Sequence, residues 1–151
     1  MNTVNHDLAG RTLHITKTLD ATPEMVWTAW SKPEHLVHWW GPEGFTCTIQ
    51  SMDFNPGGEW LLTLQGPDGK RYPNKSIFRE IIPLQQISFR HYNPAYMATV
   101  LFQPEAQGTR IDWTVAFETA ALFDTIVKTF KADEGLVQNI HKLERYLERS
   151  R

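Results

Sequence analysis

The stretch DFNPGGEW, residues 53–60, decides the fold of this chain because it reverses the backbone between two strands. Proline fixes φ and glycine permits positive φ, so the NPGG segment within it predicts a sharp turn. Trp60, Leu62 and Leu64 then occupy every second position, which predicts a strand with one buried face. We therefore expect an antiparallel hairpin here, with Asp53 bonding to the amides of the turn.

Strand and turn signals continue around this hairpin, from Phe45 to Phe117. Short apolar and β-branched runs are separated by Gly, Pro and Asn turn residues. The predicted strands are Thr46–Asp53, Trp60–Gln65, Asn74–Ile82, Gln86–His91, Ala95–Phe102 and Thr109–Phe117. Short strands joined by tight turns are typical of one antiparallel meander.

One strand and two short helices are predicted before this region. Alternation over Leu13–Leu19 predicts the first strand. Thr22 is placed to cap a helix that begins at the following proline, which suits the first helical position. Ser31 followed by Glu34 matches a capping box and predicts a second helix, which ends before Gly41-Pro42.

The last part of the chain predicts a long amphipathic helix, because apolar residues recur every three or four positions from Leu122 to Leu147. Gly135, in its middle, indicates either a break or a close approach of the helix to the sheet. One antiparallel sheet with a long helix on one face is an α+β fold. A long open sheet curls, so we expect a space between it and the helix. We expect residues 1–11 to be a loose leader and residues 12–150 to form a single domain.

The composition of the 151 residues excludes several classes of function. A formal net charge of −2 gives no electrostatic basis for binding nucleic acid or an anionic membrane. Cys47 is the only cysteine, which excludes an intrachain disulfide and favours a reducing compartment. No apolar run reaches the ~18 residues of a membrane helix. We therefore expect a cytoplasmic protein without membrane insertion, present as a monomer or a homodimer.

Aromatic residues are the outlier in this composition, with six Trp and eight Phe. Many of these rings occupy strand and helix positions that face inward, which predicts the walls of an apolar cavity. A solidly packed core would explain the same positions. His91 shares the parity of Ile87 and Phe89, so it is the polar side chain placed to orient a ligand, and Tyr92, Tyr96 and Ser88 could assist it. The predicted contact residues are Trp40, Trp60, Leu62, Phe78, Phe89, His91, Met97, Trp113, Phe123, Val127 and Phe130.

The sequence offers neither a catalytic set nor a cofactor motif. His35 and His38 could share a helix face, but no third metal ligand is placed near them. Glu59 and Asp112 alternate with tryptophans, so we expect these carboxylates to face solvent rather than the cavity. No nucleophile elbow and no phosphate-binding loop is present. We predict no metal, no cofactor and no catalytic residue.

A series of short motifs runs through the chain from Leu13 to Leu147. In order, they are Ala21-Thr22-Pro23 with Val26-Trp27, Lys32-Pro33-Glu34-His35-Leu36 with Trp39-Trp40-Gly41-Pro42, Asp53 with Pro56-Gly57-Gly58, Gly66-Pro67-Asp68-Gly69, Glu80-Ile81 with Pro83, Gly108-Thr109-Arg110 and Asp133-Glu134-Gly135. With these motifs in this order, the chain resembles the homologues of the activator of the heat-shock protein ninety ATPase, within the START-like (SRPBCC) superfamily. The resemblance implies the helix-grip fold, in which a curved antiparallel sheet of about seven strands wraps around a long C-terminal helix. Leu136 departs from the pattern, since such sequences often carry Trp after the late glycine.

The resemblance implies several activities rather than one. Our first hypothesis is the binding of a small hydrophobic or aromatic molecule between the sheet and the C-terminal helix. The first alternative is a co-chaperone-like module of the stress response, whose partner is a chaperone protein, a heat-shock ATPase. The second alternative is a cofactor-independent cyclase or hydrolase that holds a reactive chain in the cavity.

Overall fold

An antiparallel sheet with four helices forms the fold in a computed structural model that describes residues 5–6 and 10–150. The strands of the described residues are β1 (Asn5–His6), β2 (Thr12–Leu19), β3 (Thr46–Met52), β4 (Glu59–Gln65), β5 (Arg71–Ile82), β6 (Gln86–Tyr92), β7 (Tyr96–Glu105) and β8 (Gly108–Phe117). The helices are α1 (Pro23–Ser31), α2 (Pro33–Leu36), α3 (Ala120–Phe130) and α4 (Ala132–Arg149).

The strands follow the order β1-β2-β8-β7-β6-β5-β4-β3, and every neighbouring pair is antiparallel. Strands β3 to β8 are therefore the predicted meander, and β2 returns beside β8. Seven strands are long, and the two-residue β1 pairs with Leu13 and His14 of β2. The predicted α+β helix-grip fold is confirmed. The boundary between leader and domain stays a prediction, because residues 1–4 and 7–9 lie outside the described residues.

Backbone hydrogen bonds stabilise the turn of the hairpin formed by β3 and β4. Asp53 N donates to Glu59 O at 2.8 Å and Gly58 N to Asn55 O at 2.7 Å, while Gly57 adopts φ +84°. The turn also docks on β5, where Phe78 exchanges backbone bonds with Gly57 and Gly58 at 2.7 and 3.0 Å. The prediction for Asp53 needs correction, because its carboxylate accepts from the side-chain amide of Asn55, at 2.6 Å.

The edge of the sheet formed by β3 is irregular. Its register against β4 shifts between Ile49 and Ser51, which marks a β-bulge or a similar irregularity. Residues along β3 are exposed or half-buried, whereas Trp60 and Leu62 on β4 are buried as their alternation predicts. The buried face of the sheet therefore begins at β4.

The start of α1 agrees with the sequence, whereas the start of α2 does not. Thr22 Oγ1 accepts from Met25 N at 3.2 Å, so it is the predicted N-cap of α1. The predicted capping box of Ser31 and Glu34 is wrong, because α1 continues through Ser31 and the N-cap of α2 is Lys32, which makes no side-chain cap bond.

The C-terminal helix is two helices, joined at Lys131. This residue adopts the left-handed conformation, with φ 53° and ψ 48°, and ends α3 before α4 begins. Gly135 is therefore not the break. A Cβ atom on Gly135 would lie 3.6 Å from Pro42 Cγ, so this glycine marks a close approach to the loop after α2 rather than to the sheet.

The core lies between the sheet and the helices α1, α2 and α4. Trp30 contacts Trp39 and Trp113 in T-shaped geometry, with ring centroids 4.8 and 4.9 Å apart. Trp40 stacks on Trp113 at 5.6 Å, which connects the loop after α2 to β8. These rings pack solidly. None of the helices in residues 10–150 is both long and apolar enough to cross a bilayer.

We expect Gly108→Ala to destabilise the fold and Gly135→Ala to stabilise it. A Cβ atom on Gly108 would lie 2.2 Å from Leu19 O, so β2 and β8 must shift, at a cost of roughly 1–3 kcal/mol. On Gly135 the contact with Pro42 is an ordinary one, and alanine inside a helix is more favourable than glycine by about 0.5–1 kcal/mol. Urea unfolding of both variants measures these changes, and a loss of stability in Gly135→Ala would contradict the packing described here.

Candidate functional site

A cavity of about 260 Å³ lies between the sheet and the two C-terminal helices. Its apolar lining consists of Leu13, Trp40, Pro42, Leu64, Phe89, Pro94, Trp113, Val115, Phe117, Ile126, Phe130, Ala132 and Leu136. Its polar lining consists of Asn74, His91, Tyr96, Lys131 and Asn139, and Gly41 and Gly135 complete it. The cavity is thus a mainly apolar space with a few polar groups.

Five of the eleven residues predicted to contact a ligand line this cavity. They are Trp40, Phe89, His91, Trp113 and Phe130. Trp40 and the two strand rings are almost fully buried, whereas Phe130 is 67% exposed at the end of α3. The structure therefore places buried rings of the sheet and of the loop after α2 on one side of the space, and the exposed end of α3 on the other.

The other six predicted residues lie outside the lining. Trp60 stacks on Phe78 with centroids 5.3 Å apart, and Leu62 is buried next to them on β4. Phe123 packs edge-on against Phe117 at 5.8 Å, and Val127 packs against the core from α3. These five residues pack into the core outside the lining. Their role as ligand contacts stays a prediction.

Met97 is the sixth, and it lies on the face of β7 opposite the cavity. Its neighbours Tyr96 and Ala98 point inward, and alternation places Met97 on the opposite face. It pairs there with Arg90 and Ala116, and it lines a separate surface depression with these two residues. Met97 was predicted as a contact because methionine adapts its shape to varied ligands. The alternation of side chains along the strand was not taken into account.

Several lining residues were not among the predicted contacts. Asn74 shares the parity of Ser76 and Phe78 on β5, so strand alternation alone could have found it. Lys131 and Ala132 reach the cavity because the chain breaks between α3 and α4, for which the sequence gives no signal. Asn139 lies on the buried face of α4 and donates Nδ2 to Trp39 O at 2.8 Å.

The polar end of the cavity is organised around His91. Its Nδ1 lies 2.8 Å from Pro94 O and its Nε2 lies 2.7 Å from Asn74 Oδ1. Asn74 Nδ2 in turn donates to Tyr72 O at 2.8 Å. Tyr96 stacks on the imidazole, with centroids 4.5 Å apart and planes 10° apart. Both oxygens that face the imidazole are acceptors and a neutral imidazole carries one N–H, so His91 donates to one of them while Tyr96 covers one face of the ring.

Burial governs the ionisation of this pair. Desolvation lowers the pKa of His91, and the carbonyl of Pro94 opposes this only in part. Desolvation also raises the pKa of Tyr96, so the phenol keeps its proton. No carboxylate occurs among the residues that line the cavity. Without a nearby anion to stabilise an imidazolium, we take His91 to be neutral at neutral pH.

The remaining candidate groups lie elsewhere. His35 Nδ1 is 2.6 Å from the hydroxyl of Tyr146, and His38 stacks on the same ring. Across residues 10–150 no cluster of three His, Cys, Asp or Glu side chains is arranged to hold a metal ion. Glu59 is exposed and pairs with Lys75 at 3.4 Å on the outer face.

Asp112 and Cys47 are engaged in the structure rather than placed in the cavity. Asp112 accepts from Thr16 at 2.7 Å and pairs with Arg110 at 3.3 Å on the outer face of β2 and β8. Burial raises the pKa of the Cys47 thiol to about 11, although Lys142 opposes this. The thiol is therefore protonated at neutral pH and is a poor nucleophile.

The curved sheet, the C-terminal helices and the cavity between them define a helix-grip domain of the START-like class. A family model described as "Activator of Hsp90 ATPase homolog 1-like protein" matches residues 20–148. The match covers most of the chain, and the protein belongs to this family.

Solved structures of several other proteins share the fold. A protein from Mycobacterium smegmatis is 23% identical over 100% of both chains, with a TM-score of 0.88. A protein from Arthrobacter aurescens is 23% identical, with 97% of this chain and 91% of that chain covered and a TM-score of 0.91. An AHSA1-like protein from Aeromonas hydrophila is 20% identical, with 92% and 93% covered and a TM-score of 0.75. None of the curated proteins compared shows significant similarity to the chain.

We expect acid to destabilise the protein through His91. Because the pKa of His91 is lowered from 6.5 in the fold, the unfolded chain binds more protons than the folded protein between the two values. The free energy of unfolding therefore falls as pH is lowered through 6.5, until the folded-state pKa is reached. Urea unfolding at about pH 7.5 and about pH 5.5 measures this loss, which we expect to be smaller in His91→Gln.

The exposed His38 supplies the matched control for this experiment. His38→Gln removes a histidine outside the cavity and should lose as much stability on acidification as the wild type does. An equal loss in His91→Gln and the wild type would show that His91 does not contribute.

Proposed function

We propose that the protein binds a small hydrophobic or aromatic molecule in the cavity between the sheet and the C-terminal helices. The observation that supports this proposal is the cavity itself, whose walls include Trp40, Phe89 and Trp113. Ligand pockets are concave and mainly apolar, with a few placed polar groups. We also propose that the protein acts in the cytoplasm.

The size of the cavity favours a compact ligand. Typical ligand pockets span ~300–1,000 Å³, and about 260 Å³ lies just below this range. A compound of one or two rings suits such a volume better than a long acyl chain or a steroid. Leu136 keeps the space open, because a larger side chain at this lining position would enter it.

The lining favours binding over catalysis. A general acid–base mechanism needs groups that exchange a proton with the substrate. His91 is the one histidine among the described residues that line the cavity. Both of its ring nitrogens lie within hydrogen-bond distance of protein oxygens, so neither is left open to a substrate. The cyclase or hydrolase alternative therefore gains no support from these residues.

A second candidate function, a co-chaperone-like role, is favoured by the description of the family. Its test is the ATP turnover of a purified heat-shock protein 90 ATPase, with and without an excess of this protein. A rise in turnover that persists when the cavity is filled by substitution would favour this role over ligand binding.

We expect the neutral two-ring probe 1-naphthylamine to bind the cavity and its emission to shift to shorter wavelength as it leaves water. Leu136→Trp should weaken this binding by at least about tenfold, because the indole occupies the space that the probe needs. Fluorescence titration of the wild type and the variant measures the effect.

Leu101→Trp is the matched control, since it adds the same side chain on an exposed position of β7, 43% accessible. It should bind the probe as the wild type does. Equal binding by the wild type and both variants would place the probe outside the cavity, and no binding by any of the three would remove the proposed function.

A further inference from the structure

The charge of the cavity lining is one-sided. Lys131 is the charged side chain among its residues, His91 is neutral, and no Asp or Glu occurs there. The whole chain, in contrast, carries 17 acidic and 15 basic residues. A cavity with one cationic side chain and without carboxylates disfavours a cationic ligand and suits an anionic one.

Tyr96 supplies a hydrogen-bond donor to this space. It lines the cavity, and in the part of the chain described here its hydroxyl forms no hydrogen bond, whereas His91 and Asn139 are already engaged. Burial raises the pKa of Tyr96, so the phenol keeps its proton and its O–H is free to donate to an anionic acceptor. A hydrogen bond to a charged acceptor is about twice as strong as one between neutral groups.

Lys131 supplies the positive charge. It lines the cavity at the junction of α3 and α4, and it forms no ion pair with another described residue. The positive end of α4 adds little, because Asp133 and Glu134 in its first turn offset the helix dipole. The attraction for an anion therefore rests on the side chain of Lys131.

We propose that the ligand is a small aromatic or apolar acid, whose carboxylate accepts the hydrogen bond of Tyr96 and lies in the field of Lys131. Its ring occupies the space bounded by Trp40, Phe89 and Trp113. This inference rests on the proposed function, because it names the chemistry of the ligand in the same cavity. In this proposal the hydrogen bond of Tyr96 and the charge of Lys131 together exceed the cost of desolvating the carboxylate.

The test compares 1-naphthoic acid with 1-naphthamide, which share a ring system and differ in charge. We expect the acid to bind the wild type at least about tenfold more tightly, since a charged hydrogen bond is worth about 1.5–3 kcal/mol and 1.4 kcal/mol corresponds to tenfold. Isothermal titration calorimetry measures both affinities under identical salt and pH.

Variants assign the effect to the two residues. Tyr96→Phe and Lys131→Gln should each weaken the acid several-fold and leave the amide within about twofold. Lys128→Gln, which removes an exposed lysine of α3 outside the lining, is the control of equal charge change and should bind both compounds as the wild type does.

Equal affinity for acid and amide would overturn this inference and leave the proposed function standing. A preference for the acid that Lys128→Gln reduces as much as Lys131→Gln would also overturn it, because the attraction would then come from net charge. Failure of both compounds to bind would overturn this inference. The neutral probe then decides separately whether the cavity binds apolar molecules.

Discussion

The position of α4 over the sheet depends on Trp39, which is fully buried and hydrogen-bonded in two directions. Its indole Nε1 donates to Ala29 O at 3.1 Å, and its carbonyl accepts from Asn139 Nδ2 at 2.8 Å. Together these bonds tie α1 and the middle of α4 to the same residue. Leaving one of the buried groups without its partner would cost about 1–3 kcal/mol. Because α4 is held at its middle, its first turn and α3 are left to border an open space.

The aromatic residues divide into a solid cluster and a cavity wall, and Trp40 and Trp113 are among those that belong to both. Trp40 and Trp113 contact Trp30 at 5.6 and 4.9 Å on one side and line the cavity on the other. The indole N–H groups of Trp30 and Trp113 are buried without a hydrogen-bond partner in the described structure, so ring packing holds this cluster. Ring pairs of this kind add about 0.5–1.5 kcal/mol each beyond the area they bury. The wall is therefore rigid before any ligand arrives, which lowers the ordering cost of binding.

The alternation of side chains along the strands made most of the fold predictable from the sequence. The same alternation was not enough to predict which inward-facing residues line the cavity. Trp60, Trp113 and His91 face inward as their alternation predicts. Alternation distinguishes the inner face of the sheet from the outer face. It does not show whether an inward ring packs on another ring, as Trp60 does on Phe78, or borders the cavity. That difference depends on where α3 and α4 lie. Their junction at Lys131 has no glycine to indicate its left-handed conformation, so the sequence predicted a long helix with a possible break at Gly135 and none at Lys131.

The irregular register of β3 has a consequence for how copies of the protein meet. As the last strand of the sheet, β3 presents backbone N–H and C=O groups that a strand from another molecule could join. The shift between Ile49 and Ser51 interrupts that row partway along a strand of seven residues. An incoming strand would find only short matching segments on either side of the interruption. The irregularity thus discourages the edge-to-edge polymerisation to which open sheets are prone.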